Sequence, residues 1–279
     1  MPSLLIAGGL TIDRFTDGST APGGSVIHAG GAAVRAGGRL SILTVAGDEP
    51  EARRGVEMLE RLGSVERRPS ASTTTYRHEE NADGRRLLVY EAASAVIEVG
   101  SAPQPVDVLL VAPIAHELPG GAVAALRSAT DARLVVLLVQ GWLRHLRVGE
   151  PVRPMALDEV GAELWTAFGT ADVVIVSSED YRGQPDDPFA QAAALRARVG
   201  PKPILVVTLG TDGYVLDDPG ADRIVAAVPR RVVVGAPTVG AGDTFGAAMA
   251  VRLAAGGTPA QAADAGTEAV IALLESRLA

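Results

Sequence analysis

Six short runs rich in valine, isoleucine and leucine recur along the chain: LLIAG (4–8), LSILTVAG (40–47), DVLLVAP (107–113), RLVVLLV (133–139), DVVIVS (172–177) and PILVVTLG (203–210). Alanine- and leucine-rich stretches of helical character lie near 26–37, 50–62, 120–128, 156–169, 188–199, 243–256 and 259–275. A strand that is apolar at successive positions is buried on both faces, and alternation with helices is how a chain covers both faces of one sheet. The pattern therefore predicts an α/β fold with a mainly parallel central sheet. At 279 residues the chain can bury one large core. No sequence repeat sets a different architecture.

One segment departs from the alternation. STTTYRHEENADGRRLLVYEA (72–92) alternates polar and apolar residues like two half-exposed strands, with NADG (81–84) as the turn. It is too polar for the core. It is expected to form a flap with the loop after Asp13, so that a lid comes from about 11–22 and 72–98.

Charge and composition exclude several function classes. Twenty-five basic against 33 acidic residues leave a net charge of −8, the wrong sign for a nucleic-acid footprint. No apolar stretch reaches the roughly 18 residues of a membrane span. The N-terminal MPSLLIAGGLTID lacks a basic flank and reads as a first strand, not a signal peptide. With no cysteine there is no disulfide or thiolate site, which is compatible with a cytoplasmic location.

The stretch that carries chemistry is TVGAGDTF (238–245), a small-residue turn entering a helical segment. Successive N–H groups at such an entrance form an anion site, helped by the helix dipole. The amides of Gly240, Ala241, Gly242 and Asp243 would surround a phosphoryl group. Asp243, kept ionised by the same dipole, would orient an attacking hydroxyl. An ordinary N-capping aspartate worth about 1 kcal/mol would fit this octapeptide equally well. Other phosphate devices are absent. The only lysine, Lys202, lies in GPKPI, so there is no Walker A loop, and GAGDTFG lacks the dinucleotide spacing. His28, His78, His116 and His145 have no metal-ligand spacing.

Together these residues resemble the PfkB (ribokinase-like) carbohydrate kinases along nearly the whole chain. PTVGAGDTF (237–245) is similar to the family's C-terminal DTTGAGDxF, and GGSVIHAGGAAVRAG (23–37) to its paired-glycine N-terminal element. TVAGDE (44–49), GGLTID (8–13) and VVTLGTDG (206–213) follow in the family's order. VQGWLR (139–144) and the polar flap resemble the compact branch that includes myo-inositol kinases.

The resemblance implies a three-layer α/β/α core with a β-lid, and transfer of the ATP γ-phosphate to an alcohol of a small polyol. It assigns Asp243 as base and Gly240, Ala241 and Gly242 as anion hole. Asp13, Gly23, Gly24, His28, Gln140 and Arg144 fall on the substrate side. Thr208, Gly210, Gly213, Thr238 and Glu268 fall on the nucleotide side. Ser177 and Asp180, in SSED, match an element that places Mg2+ through water. Ser177 and Asp180 shorten that motif, which would weaken or shift Mg2+, and two further departures stand out. His28 replaces an asparagine and should make a substrate contact pH-sensitive. Pro237 replaces an aspartate that in many relatives helps bind a monovalent cation, which removes the basis for expecting potassium activation. The lid is where two chains would clasp in a homodimer. A nucleoside acceptor, or a weakly catalytic ligand-binding protein of the same fold, remains an alternative.

Overall fold

The computed structural model describes residues 1–80, 86–100 and 105–279. The expected turn at 81–84 lies outside the described residues.

In chain order the first half runs β1 (Ser3–Gly8), β2 (Thr11–Arg14), β3 (Thr20–Gly23), α1 (Ser25–Arg35), β4 (Arg39–Ala46), α2 (Pro50–Glu60) and β5 (Gly63–Pro69). It continues through β6 (Thr74–Glu80), β7 (Arg86–Ala92), β8 (Val108–Ala112), α3 (Gly121–Thr130) and β9 (Leu134–Leu138). Then come β10 (Arg144–His145), β11 (Arg153–Ala156), α4 (Ala162–Thr170), β12 (Val173–Ser177), β13 (Tyr181–Arg182) and α5 (Pro188–Val199). The chain ends with β14 (Ile204–Thr208), β15 (Tyr214–Asp218), β16 (Arg223–Ala227), α6 (Ala241–Ala254) and α7 (Pro259–Ser276).

Nine strands form the main sheet in the order β16-β15-β14-β12-β9-β8-β1-β4-β5. From β14 to β5 every pairing is parallel, while β15 and β16 add an antiparallel edge. The six apolar runs supply its centre. Leu109, Val111, Val135 and Leu137 bury one face against Leu126 of α3, Phe168 of α4 and Leu195 of α5. Ile6, Leu110, Val136 and Val206 bury the other against Val26 of α1, Leu59 of α2, Met249 of α6 and Ala262 of α7. The result is a three-layer α/β/α fold, with helices on both faces as continuous apolar strands require.

Helix boundaries follow local chemistry. At α5, Pro188 occupies the first turn and Asp187 accepts from the Ala190 N–H at 2.9 Å. At α7, Thr258 and Gln261 form a reciprocal capping box with Pro259 in the first turn between them. The segment expected to be helical from 156 starts only at Ala162. The Glu159 carboxylate instead holds the Ala156 N–H at 2.7 Å, at the end of β11. Packing fixes α6 closely: a Cβ at Gly266 of α7 would lie 2.8 Å from the Phe245 ring. Truncating Phe245 to alanine would cost about 3–5 kcal/mol and loosen the helix that carries Asp243.

The flap segments form a separate four-stranded sheet, β3-β2-β6-β7. One face turns Asp13, Tyr76 and His78 inward; the other carries an ion-pair chain from Arg14 to Glu91 to Arg77 to Glu79. The expected lid boundary at 98 is too long. Ile97 is buried in the main core, and its N–H donates to Glu117 O at 2.7 Å, so the segment after β7 returns to the body of the fold. Among the described residues no helix is long and apolar enough to cross a membrane.

Candidate active site

Chain order reverses between β1 and β8, and ligands of open α/β sheets collect beyond the strand ends at such a point. A cleft of about 610 Å³ lies there. Its walls come from the ends of β9, β12 and β14, the inner face of the small sheet, the turn before α6, and α7.

The turn before α6 is built by its glycines. Gly240 has φ of +75°, and a Cβ there would lie 2.2 Å from the His28 ring. The Ala241 N–H donates to Thr238 O at 3.0 Å, closing the turn, and Thr244 N–H to Gly240 O at 2.9 Å starts the helix. Among the described residues no protein group takes the N–H of Gly240, Gly242 or Asp243. A candidate anion hole at this turn would therefore exclude the Ala241 amide, which the turn itself uses.

Asp243 borders this turn. Burial pushes its carboxyl up to about 6, the nearby Arg144 charge opposes the shift, and Asp180 adds to it. At about 6 the carboxyl is still mostly ionised at neutral pH, as expected at a helix terminus, but it is more basic than an ordinary aspartate. Burial is the largest cause, and a carboxylate with this pKa is a better proton acceptor near neutrality.

Opposite the turn, Asp13 is nearly buried. It accepts from Thr11 Oγ1 at 3.2 Å and lies 3.5 Å from His78 Nε2. Gly23 does not line the cleft; it makes room for Asp13, since a Cβ there would be 2.4 Å from Oδ2. Gly24, at φ +98°, packs under Gly9 O in the same way and does line the cleft. His28 forms the wall between the two halves. Burial, then the charge of Arg277, depress its pKa, with Asp13 opposing. The shift favours the neutral ring and moves any pH sensitivity of a His28 contact toward lower pH.

Arg144 and Gln140 lie in the middle. Arg144 Nη1 donates to Ile114 O at 3.2 Å, and the guanidinium stands 6.0 Å from the Tyr76 ring centre. Gln140 Nε2 donates to Asp180 Oδ1 at 2.9 Å, and the Ser177 N–H donates to Asp180 Oδ2 at 2.8 Å. Burial raises the Asp180 pKa. Ser177 itself caps the turn through its Oγ, while exposed Glu179 faces the cleft. Trp142 packs inward on Phe168 at 5.5 Å and donates to Leu118 O. Among the described residues no cluster of three or more His, Asp or Glu forms a metal cage.

On the far side, Thr208, Gly210, Gly213 and Thr238 line the cleft beside Val232, Val233, Val270, Ile271 and Leu274. Glu268 is exposed and lies outside it; its helix neighbour Thr267 faces in.

Sequence reasoning missed Tyr76, His78 and Glu117. Tyr76 and His78 sit at alternate positions of β6, so the strand's own period was the available signal. Glu117 is fully buried behind Ile114, which lines the cleft, and accepts from the Ile114 and Ala115 N–H groups, both at 2.8 Å, with burial raising its pKa. A lone carboxylate in the apolar run PIAHEL was its trace.

The sequence pattern of the pfkB family of carbohydrate kinases matches residues 9–277. The chain belongs to that family. Its members are phosphotransferases with hydroxyl acceptors. Solved structures of several kinases share the fold at low identity. A pyrophosphate-dependent kinase of the ribokinase family, complexed with a pyrophosphate analogue and myo-inositol, is 16% identical with a TM-score of 0.77, over 98% of this chain and 95% of that one. The Vibrio cholerae fructokinase is 20% identical with a TM-score of 0.72, over 99% of each chain. An Arabidopsis thaliana ribokinase with ribose and ATP is 18% identical with a TM-score of 0.70, over 98% and 99%. Among curated proteins no sequence matches this chain significantly.

Proposed function

We propose that this pfkB-family protein transfers the γ-phosphate of ATP to a hydroxyl of a small neutral polyol, a sugar or a cyclitol such as myo-inositol. The observation that carries the reading is one cleft lined both by the α6 turn, with its unpartnered amides and the raised carboxyl of Asp243, and by buried Asp13.

The acceptor half favours a neutral substrate. Asp13 can accept hydroxyl hydrogen bonds and His78 lies beside it. The charge of Arg144 is balanced by Asp180 and Asp243. Asp243 takes the proton of the attacking hydroxyl, while the Gly240, Gly242 and Asp243 N–H groups and the α6 dipole stabilise charge on the moving phosphoryl group. The small sheet covers Asp13 and excludes water.

Support for ATP comes from the apolar patch of Val232, Val233, Val270, Ile271 and Leu274, which suits a purine base. Pyrophosphate is the second reading, favoured by the likeness to the pyrophosphate-dependent kinase, and it would leave that patch unused. Asp180 and Glu179 fit an indirect Mg2+ site: each Asp180 oxygen accepts one bond and retains lone pairs. When bound, Mg2+ neutralises phosphate charge.

The test is a panel of myo-inositol, ribose, fructose and nucleosides against ATP and pyrophosphate, read as ADP or orthophosphate release. Turnover with a polyol and ATP is expected. Ligand binding without release across the panel would favour a non-catalytic protein of this fold. Turnover on nucleosides alone would move the acceptor class.

A further inference from the structure

The turn that feeds the anion hole is tied from outside by a positive charge. Arg277 Nη1 donates to Pro237 O, three residues before Gly240. Arg277 caps the C-terminal end of α7, whose Leu274 lines the cleft, so a packed helix delivers the guanidinium. A second link between the same segments is the Arg231–Glu275 ion pair at 2.9 Å.

The resemblance to the family sets Pro237 against an aspartate that in many relatives helps bind a monovalent cation. Proline brings no carboxylate, and its carbonyl oxygen already has a cationic donor. A metal ion added at that oxygen would meet the fixed guanidinium charge, so the residues present do not fit the ion.

We propose that Arg277 is a positioning residue that serves as this chain's own fixed cation beside the anion hole, and that phosphoryl transfer therefore proceeds without a monovalent metal ion. The proposal rests on the kinase reading above. Arginine keeps its charge at any working pH and cannot dissociate as an ion can. Its link to the anion hole is geometric: the Pro237 carbonyl it holds lies three residues before Gly240, at the start of the turn that packs against the His28 ring. With the Pro237 carbonyl held, the amides of Gly240 and Gly242 are aimed before phosphate arrives.

The test uses the full chain with ATP-Mg2+ and the acceptor that supports turnover, in potassium chloride or tetramethylammonium chloride of equal ionic strength. Wild-type turnover is expected to agree within about twofold between the salts, and Arg277→Ala to lose at least about tenfold in kcat with acceptor KM little changed. Arg277→Lys should retain more turnover than Arg277→Ala, and added guanidinium should restore part of the alanine variant's loss. Tenfold activation of the wild type by potassium would overturn the proposal. So would an Arg277→Ala enzyme that turns over normally in tetramethylammonium, even with a lowered Tm. If the alanine variant does not fold, the two wild-type salt measurements decide. A Tm readout is independent of catalysis: a saturable, potassium-specific rise contradicts the proposal, and equal Tm values in the two salts support it. Absence of transfer to every acceptor would refute the kinase reading instead, while the Tm comparison still decides the cation question.

Discussion

Replacing Asp243 by asparagine should make the protein more stable and inactive together. Burial raises the Asp243 pKa from 3.8 to about 6 in the folded chain. A shift of about 2 units corresponds to roughly 3 kcal/mol by which folding disfavours the carboxylate. The sign follows from linkage: the native state holds this proton more tightly than the unfolded chain. The cost is absent well below pH 3.8, grows through the interval up to about 6, and is complete above it. Because Asp243 faces an open cleft, solvent reduces the figure, and a gain of about 1–3 kcal/mol at pH 8 is expected for the neutral amide. That corresponds to a rise in Tm of roughly 2–10 °C for a chain of this size. At pH 5 the gain should fall to about half. Denaturation of both proteins at the two pH values, with turnover on the same samples, measures all of this. Turnover should drop by about 100-fold or more, the contribution of a positioned base. Unchanged stability at pH 8, or near-normal turnover, would refute the reasoning.

Three further outcomes follow from named contacts. Wild-type kcat should fall about tenfold per pH unit below about 6 and level off above it; a flat profile between pH 5 and 8 would contradict Asp243 as base. Gly240→Ala should lose about 1–2 kcal/mol from the positive φ alone, plus the clash with His28. In the double variant with His28→Ala only the clash should be relieved, as denaturation of both variants would report. Glu117→Gln sets an amide donor against the Ile114 and Ala115 N–H groups, at about 1–3 kcal/mol. Since Ile114 O anchors both Tyr76 and Arg144, the acceptor KM should rise in steady-state kinetics.

The middle of the fold was legible because its strands are apolar on both faces, a pattern that admits few architectures. The edges were not. Strands β5 and β16 are half-exposed and β15 turns antiparallel, so their composition does not separate them from loops. In the site, the α6 turn was legible from local chemistry: only glycine accepts the φ at 240 with a ring against it. The basicity of Asp243 was not, because it depends on burial and on Arg144 and Asp180, which reach it from distant parts of the chain. Arg277 was silent for the same reason. Nothing in ESRLA reveals that its guanidinium meets a carbonyl 40 residues earlier. Glu268 lies outside the cleft because adjacent helix residues point about 100° apart, and Thr267 takes the inward place.

The central claim is that the amides of the α6 turn grip the transferred phosphoryl group while Asp243 aims the acceptor oxygen. A crystal structure with ADP-Mg2+, aluminium fluoride and the preferred polyol would test it directly. The predicted result is fluoride ligands about 2.7–3.1 Å from the Gly242 and Asp243 nitrogens, with an Asp243 oxygen in hydrogen-bond reach of the acceptor hydroxyl. A phosphoryl mimic bound away from residues 240–243, or an acceptor that does not contact Asp243, would contradict it.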